Sequence, residues 1–236
     1  MVTEQPIRAI QRRSLESRAA DELRSAIVSR RYAPGCRLTE IELSKMLGIS
    51  RGTVRSALQK LLTEGLVNQR PYSSWEVTGF SAKDAWELYT LRAALEGLAA
   101  ELVADAIGRK VLDPELITGA FERLRTACEK LDGKQADIAD FAFHKAVVAS
   151  AGHHRLQTQY ERVDAQIQML IVVGNEVAGA ITRLVAEHQP LVDGLLSGDA
   201  RSAGEVFRAN VIAAGREAVE RWPVHLDENG IVDGGR

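Results

Sequence analysis

The fold is decided by Glu40-Ile-Glu-Leu-Ser-Lys-Met-Leu47, Gly48-Ile49-Ser50, Arg51-Gly-Thr-Val-Arg-Ser-Ala-Leu-Gln-Lys-Leu-Leu62 and Thr63-Glu-Gly-Leu-Val67. Two short amphipathic segments meet at a glycine-bearing corner. That is the pattern of a helix-turn-helix, whose second helix enters the DNA major groove. Ser50 can cap this second helix, because its hydroxyl accepts a backbone N–H of the first turn. Val54, Ala57, Leu58, Leu61 and Leu62 fall on one face, which the periodicity assigns to the core. Arg51, Thr53, Arg55 and Gln59 are left pointing outward. Arg51 and Arg55 stand one helical turn apart, so both guanidinium groups lie on one side of the helix near its start. Arginine suits guanine edges and phosphates. Gly52 has no side chain, so backbone can approach DNA closely there.

Working outward, residues 1–13 are polar, contain Arg8, Arg12 and Arg13, and read as a mobile basic arm. A helix is expected over residues 14–29, with Leu15, Ala19, Leu23 and Ile27 as its apolar stripe. Tyr32-Ala-Pro34-Gly35 stops it. Thr39, with Glu42 three residues on, has the form of a capping box for the first motif helix. On the other side, Leu66 to Arg70 and Trp75 to Val77 are β-prone runs around Pro71-Tyr-Ser-Ser74, which predicts a hairpin. A hairpin directly after a recognition helix can act as a wing, laying Arg70 and the Tyr72–Ser74 tip along the DNA backbone or minor groove. The plainer alternative is a hairpin that only closes the small core.

Charge separates this head from the rest of the chain. Residues 1–80 carry 13 Lys+Arg and 8 Asp+Glu, a net of +5, while the whole chain is at −2, which leaves −7 for residues 81–236. A basic first third joined to an acidic remainder suits a DNA-binding module attached to a part that does not bind DNA. The 236 residues allow one large or two modest domains. The two cysteines, Cys36 and Cys128, make no disulfide framework. No signal-peptide core and no run fit to span a membrane is visible, so a cytoplasmic protein with no membrane partner is expected.

Phe80-Ser81 marks the expected boundary, giving an arm (1–13), a winged-helix domain (14–80), a helical domain (81–222) and a tail (223–236). Ser81 with Asp84 is a capping signature. The first body helix, over residues 82–107, carries Leu88, Leu91, Leu95, Leu98 and Leu102. The next opens at Asp113-Pro114 with Ile117, Phe121, Leu124 and Leu131 as its stripe and Gly133 as its stop. Further helices are expected at about 135–151, 155–173, 176–197 and 200–221, separated by Gly152, Gly174 and Gly198. The fold class is therefore mainly α: a winged helix-turn-helix followed by an all-α bundle of about six helices.

Polar residues interrupt the apolar faces of three of these helices. Asp140 and His144 are i,i+4 among Phe141, Phe143, Val147 and Val148; His188 lies between Leu184 and Leu191; Asn210 follows Ala203 and Phe207. One inward histidine is most often a hydrogen-bonded core residue. Four such groups are more easily explained by one shared site, since an unpartnered buried polar group costs about 1–3 kcal/mol. A divalent metal would satisfy them, because carboxylate and imidazole on facing helices form a normal ligand set. His153 and His154 follow a helix-ending glycine and suit a loop or cap role.

The string from Leu23-Arg24 through Pro34-Gly35, Leu38-Thr-Glu40, Leu47-Gly48-Ile49-Ser50-Arg51, Val54-Arg55 and Glu64-Gly65-Leu66-Val67 resembles the winged helix of the GntR family of bacterial transcription regulators, across residues 15–79. The resemblance implies that Ser50, Arg51, Thr53 and Arg55 meet the operator. It departs at Gly52, where threonine is usual, at Ser74, where many members have glycine, and at Ile41, where some use arginine. Asp140-Phe-Ala-Phe143-His144 and Glu187-His188, with Leu91-Arg92-Ala-Ala-Leu95-Glu96 before them, resemble the FadR-type ligand-binding domain called FCD, over about residues 82–222. In its metal-binding members an Asp and three His hold a divalent ion. Asp140, His144 and His188 match three of these positions, and Asn210 stands at the fourth. The ion implied is zinc, nickel or manganese, held more loosely or absent given the amide. The implied effector is a small organic acid, with Arg92 as its candidate cation; the alternative for Arg92 is a surface pair with Glu96.

The expected function is a homodimeric, sequence-specific regulator of double-stranded operator DNA, a repressor controlled by a carboxylate metabolite. Two alternatives stand beside it. A metal-dependent hydrolase or isomerase could use the Asp/His cluster, though no general base, nucleophile motif or phosphate loop accompanies it. A constitutive DNA-binding dimer would need no effector.

Overall fold

The computed structural model describes residues 14–70, 74–178, 180–220 and 222. The expected arm (1–13), Tyr72 at the wing tip and the tail (223–236, with His225) lie outside the described residues. The head contains α1 (Leu15–Val28), β1 (Arg37–Thr39), α2 (Glu40–Leu47), α3 (Arg51–Thr63), β2 (Val67–Arg70) and β3 (Ser74–Val77). The body contains α4 (Ala82–Gly108), α5 (Glu115–Glu129), α6 (Gly133–Ser150), α7 (His154–Ala178), a single 3-10 turn over Ala180–Thr182, α8 (Leu184–Leu196) and α9 (Ala200–Glu220).

Local chemistry sets the head's corners. Thr39 caps α2 by accepting from the Glu42 amide, and Gly48 closes α2 at φ +65, in the left-handed region that favours glycine. Ser50 caps α3 by accepting from the Thr53 amide at 3.2 Å. The helix then buries Val54, Ala57, Leu58 and Leu61, while Leu62 is half-buried. The sheet holds one more strand than the sequence predicts. β1 pairs antiparallel with β3, Leu38 opposite Trp75, so the order is β1-β3-β2. Three residues are too short for period-2 alternation to register as a strand. Leu15 is also corrected: it is 58% exposed, and Ala20, Ala26 and Val28 join Ala19, Leu23 and Ile27 in the core instead.

In the body, the leucine stripe of α4 is not its buried face. Leu91 and Leu98 are exposed at 44% and 38%, whereas Ala85, Tyr89, Arg92, Ala93, Glu96, Gly97, Ala100 and Ala104 are buried. The reason is close helix approach. α9 brings Ala203, Gly204, Gly215 and Ala218 to α4, and a Cβ on Gly97 would stand 2.6 Å from the Arg208 side chain. A small-residue seam lets two long helices pack tightly and turns Leu91 and Leu98 outward, while Leu88 and Leu95 stay half-buried against the core. Two boundaries also move. Gly133 begins α6 rather than ending α5; the chain reverses at Leu131, which takes φ +52 and is 69% exposed. α7 runs through Gly174 to Ala178, because a lone glycine weakens a helix without breaking it.

Head and body share one continuous buried cluster. It joins Leu23, Ile27, Leu58, Leu61 and Trp75 to Ala165, Met169 and Leu170 of α7 and to Val211, Ala218 and Trp222. The Trp222 indole donates to the Phe80 carbonyl at 3.1 Å. The Gln166 side-chain amide donates to the Glu64 carbonyl at 2.7 Å. Among the described residues, no helix is long and apolar enough to cross a membrane.

Candidate nucleic-acid interface and metal centre

The start of α3 presents Arg51, Gly52 and Arg55 as exposed residues, with Ser50 and Thr53 at their base. The Ser50 and Thr53 hydroxyls lie 2.9 Å apart. A Cβ on Gly52 would meet nothing closer than the Ser50 hydroxyl at 3.8 Å, so this part of the surface is open. Arg55 is held from behind. Its Nε and Nη2 donate to the two carboxylate oxygens of Glu40 at 2.8 and 2.9 Å. Glu40 is only 3% exposed and also accepts from the Trp75 indole at 3.4 Å. The Arg55 guanidinium holds the Glu40 carboxyl below the usual range, outweighing the effect of burial. On the wing, Arg70 makes the same kind of fork to Glu76, at 2.9 and 2.8 Å. Ser74 does not belong to an exposed tip: it is 7% exposed and lies opposite Thr39 and Arg70 in the sheet.

The second cluster is inside the body. α6 places Asp140 and His144 one turn apart on its buried face, and α8 brings His188 against them. His188 Nε2 lies 2.9 Å from Asp140 Oδ1 and 3.1 Å from His144 Nε2. His144 Nε2 lies 3.4 Å from the same Asp140 oxygen. The outer ring nitrogens are committed. His188 Nδ1 is 2.8 Å from the Leu184 carbonyl, which can only accept, so Nδ1 carries the proton. His144 Nδ1 is 2.7 Å from Glu96 Oε2, off the line of a good hydrogen bond, and the carboxylate favours a proton on that nitrogen. In the neutral imidazoles both Nε2 atoms then turn lone pairs toward a carboxylate oxygen.

Three converging acceptors repel unless a cation lies among them. With metal–ligand distances of about 2.1 Å, neighbouring ligands of a tetrahedral or octahedral ion stand about 3.0–3.4 Å apart, close to the spacing found here. The residues therefore fit a divalent ion. The same pocket also favours a proton, with which an ion would compete. Burial works against charge on His144, but the Glu96 carboxylate outweighs it and pushes the imidazole above its ordinary value. Burial would raise the Asp140 carboxyl, but His188 and His144 hold it well below the usual range.

Sequence reasoning missed Glu96 in this role. It is fully buried, accepts from Arg92 Nε at 2.7 Å and from the Tyr160 hydroxyl at 2.8 Å, and faces His144 with its other oxygen. Despite complete burial, Arg92 and His144 hold its carboxyl down at about 2. The available signal was its place beside Ala93, Gly97 and Ala100, on the small-residue face. Arg92 does pair with Glu96, but in the interior, at 4% exposure, and reaches the cluster only through that carboxylate. Asn210, placed at the fourth ligand position by the resemblance, is half-buried, and its amide donates to the Glu187 carbonyl at 3.3 Å. Its spacing from Phe207 puts it at the edge of the apolar face, where it steadies the backbone beside His188. His153 caps α7 by accepting from the Leu156 amide at 3.2 Å.

A cleft of about 870 Å³ opens between α1 and the start of α6. It contains none of the three clustered ligands. Ala136 and Leu184, each one helical turn before a ligand, line it together with Arg24, Arg31 and Lys134.

Comparison with known proteins decides what these two sites belong to. Residues 87–212 match the FCD domain, and residues 15–77 match "Bacterial regulatory proteins, gntR family". The chain belongs to the GntR family. It is a DNA-binding transcription regulator of the FadR-like, FCD-containing subfamily and not an enzyme, so the hydrolase or isomerase alternative falls. The regulator is 26% identical over 202 residues to a probable D-xylose utilization operon transcriptional repressor of Paenarthrobacter nicotinovorans, covering 86% of this chain and 88% of that one. It is 28% identical over 151 residues to the gluconate operon transcriptional repressor of Bacillus licheniformis, covering 63% and 60%. Its fold is similar to that of a GntR regulator from Rhodococcus sp. RHA1, with a TM-score of 0.77 at 23% identity, covering 88% of this chain and 99% of that one.

Proposed function

We propose that this regulator is a homodimeric repressor whose grip on its operator is relaxed by a small carboxylate metabolite bound through a divalent ion. The observation that carries the reading is the convergence of Asp140 Oδ1, His144 Nε2 and His188 Nε2 in the buried interior, each within 3.4 Å of the others. These three residues would hold the ion, and Glu96 would fix the His144 tautomer from behind. Bound there, the ion would supply a Lewis-acidic position for one carboxylate oxygen of the effector. Arg92 serves the site by steadying Glu96. The cleft beside Ala136 and Leu184 offers an approach, with Arg31 and Lys134 as the cations an anion would meet, since Arg24 is already paired to Asp21 and Glu64. The operator is met by Ser50, Arg51, Gly52, Thr53 and Arg55 in the major groove and by Arg70 from the wing. Such work against the chromosome belongs in the cytoplasm.

A dimer is supported by the outer face of α4. Leu91 and Leu98 are exposed there one heptad apart, the repeat of a coiled-coil seam. A second copy would cover this face, with the acidic body as the dimerising part and each head serving one half-site.

Metal analysis and operator binding test the gate. The purified protein should carry close to one zinc, nickel or manganese ion per chain, and His144→Ala should lose it. A panel of carboxylic acids should contain one that weakens operator binding by about 5–150-fold, the usual range of allosteric coupling, in the metal-loaded protein and not in His144→Ala. No bound ion and no response across the panel would leave a constitutive DNA-binding dimer.

A further inference from the structure

We propose that Glu40 is a positioning residue for operator reading: from inside the head it locks the Arg55 guanidinium in one orientation and so sets the base preference of α3. The inference rests on Arg55 meeting DNA. Arg55 is more than half exposed on the recognition helix, yet its side-on edge, Nε and Nη2, is engaged by both Glu40 oxygens. The fork leaves the end-on edge, Nη1 and the outer N–H of Nη2, directed away from Glu40. That edge carries two parallel donors, the geometry that matches guanine O6 and N7.

Glu40 itself has little freedom. It is the first residue of α2, packed at 3% exposure, and it receives the indole N–H of Trp75, which has no exposed surface in β3. One carboxylate thus ties the first motif helix, the recognition helix and the wing together. Arg51 provides a contrast one turn earlier, since among the described residues it has no ion-pair partner. An arginine fixed in advance loses less side-chain entropy when it meets a base. The arrangement therefore makes Arg55 the discriminating arginine and Arg51 the adaptable one, suited to phosphate.

The test exploits two effects of opposite sign. Removing a carboxylate from a DNA-facing module strengthens attraction to phosphates, so charge alone makes Glu40→Gln bind every duplex equally or more tightly. Loss of orientation makes it bind the correct duplex more weakly. The probes are a duplex selected by the wild-type protein from a random-sequence pool and a scrambled duplex of equal length. The expected result is a loss of about tenfold or more on the selected duplex, in line with one bidentate base contact, with binding to the scrambled duplex unchanged or tightened. Glu40→Gln in an Arg55→Ala background should add no further loss on the selected duplex, because the two act as one unit. Repeating the selection with Glu40→Gln should relax the same base position that Arg55→Ala relaxes, which a merely structural defect would not do.

If Glu40→Gln fails to fold, Glu40→Asp carries the test, since it keeps the charge and the Arg55 side chain while the shorter reach breaks the fork; it should show the same selective loss. If Arg55→Ala weakens specific binding while Glu40→Gln or Glu40→Asp does not, the positioning role is overturned and the Arg55 contact stands. If Arg55→Ala leaves specific binding intact, the contact itself is wrong and the inference falls with it.

Discussion

The two sites of this regulator solve related problems in opposite dielectrics. In the head, a buried glutamate, Glu40, holds an exposed cation whose free edge faces water. In the body, a buried glutamate, Glu96, holds Arg92, Tyr160 and His144, and every partner is buried with it. The difference is one of dependence. Arg55 left without Glu40 is rehydrated at once, so the consequence is disorder. Arg92 left without Glu96 is a charge stranded in the interior, so the consequence is instability. The head is built to lose selectivity before it loses its fold, and the body has no such margin.

The sharpest way to break this comparison is Glu96→Gln. It removes the charge and leaves Arg92 uncompensated, and the expected cost is about 3–5 kcal/mol of unfolding free energy by denaturant titration. The parallel change Glu40→Gln should lower stability far less. Equal losses in the two variants would show that the contrast in burial is not what matters. A second variant probes the apolar surface that α4 leaves outside. Leu91→Glu with Leu98→Glu should raise the dimer dissociation constant on the order of a hundredfold or more: each change occurs on both chains, and full burial of a leucine is worth about 1.5–3 kcal/mol, of which Leu91 and Leu98, already more than half covered, have less than half left to gain. Sedimentation would read this directly, and an unchanged dimer would place the interface elsewhere. The smallest effect is a titration. The Glu40 carboxyl is held below the usual range chiefly by its bonds to Arg55. A folded value below the unfolded one gives stability that is complete above the ordinary carboxylate pKa and is lost as pH falls through the depressed folded value. Carboxyl NMR should find Glu40 titrating low in the wild type and moving up in Arg55→Ala. A carboxyl that does not move would mean that the fork is absent in solution.

The sequence made the head legible to a degree the body was not, and the reason is physical. Helix caps at Thr39 and Ser50, the left-handed turn at Gly48 and the core positions of α3 are set by interactions within a few residues, and local pattern carries them. β1 escaped because a three-residue edge strand has no periodicity to read. On α4 the pattern misled: leucines at helical spacing read as core, but the small residues between them are what α9 packs against. Asp140, His144 and His188 were visible as polar residues on apolar faces. Glu96 was not, because it resembled half of an ordinary i,i+4 pair with Arg92, and only the fold brings α6 and α7 to it. Asn210 sits at the edge of the apolar face, a position that spacing alone does not resolve.

The seam between head and body has a consequence for engineering. Gly65 takes φ +70, and a Cβ there would stand 2.1 Å from the Gln166 amide, whose hydrogen bond ends on the neighbouring Glu64 carbonyl. The junction is a fitted joint rather than a tether. A chimera that borrows another regulator's reading head would therefore import a mismatched socket. To transplant specificity without losing obedience to the metabolite, the exchange would have to be confined to the outward residues of α3 and the wing, or else carry the Ala165–Leu170 surface of α7 along with it.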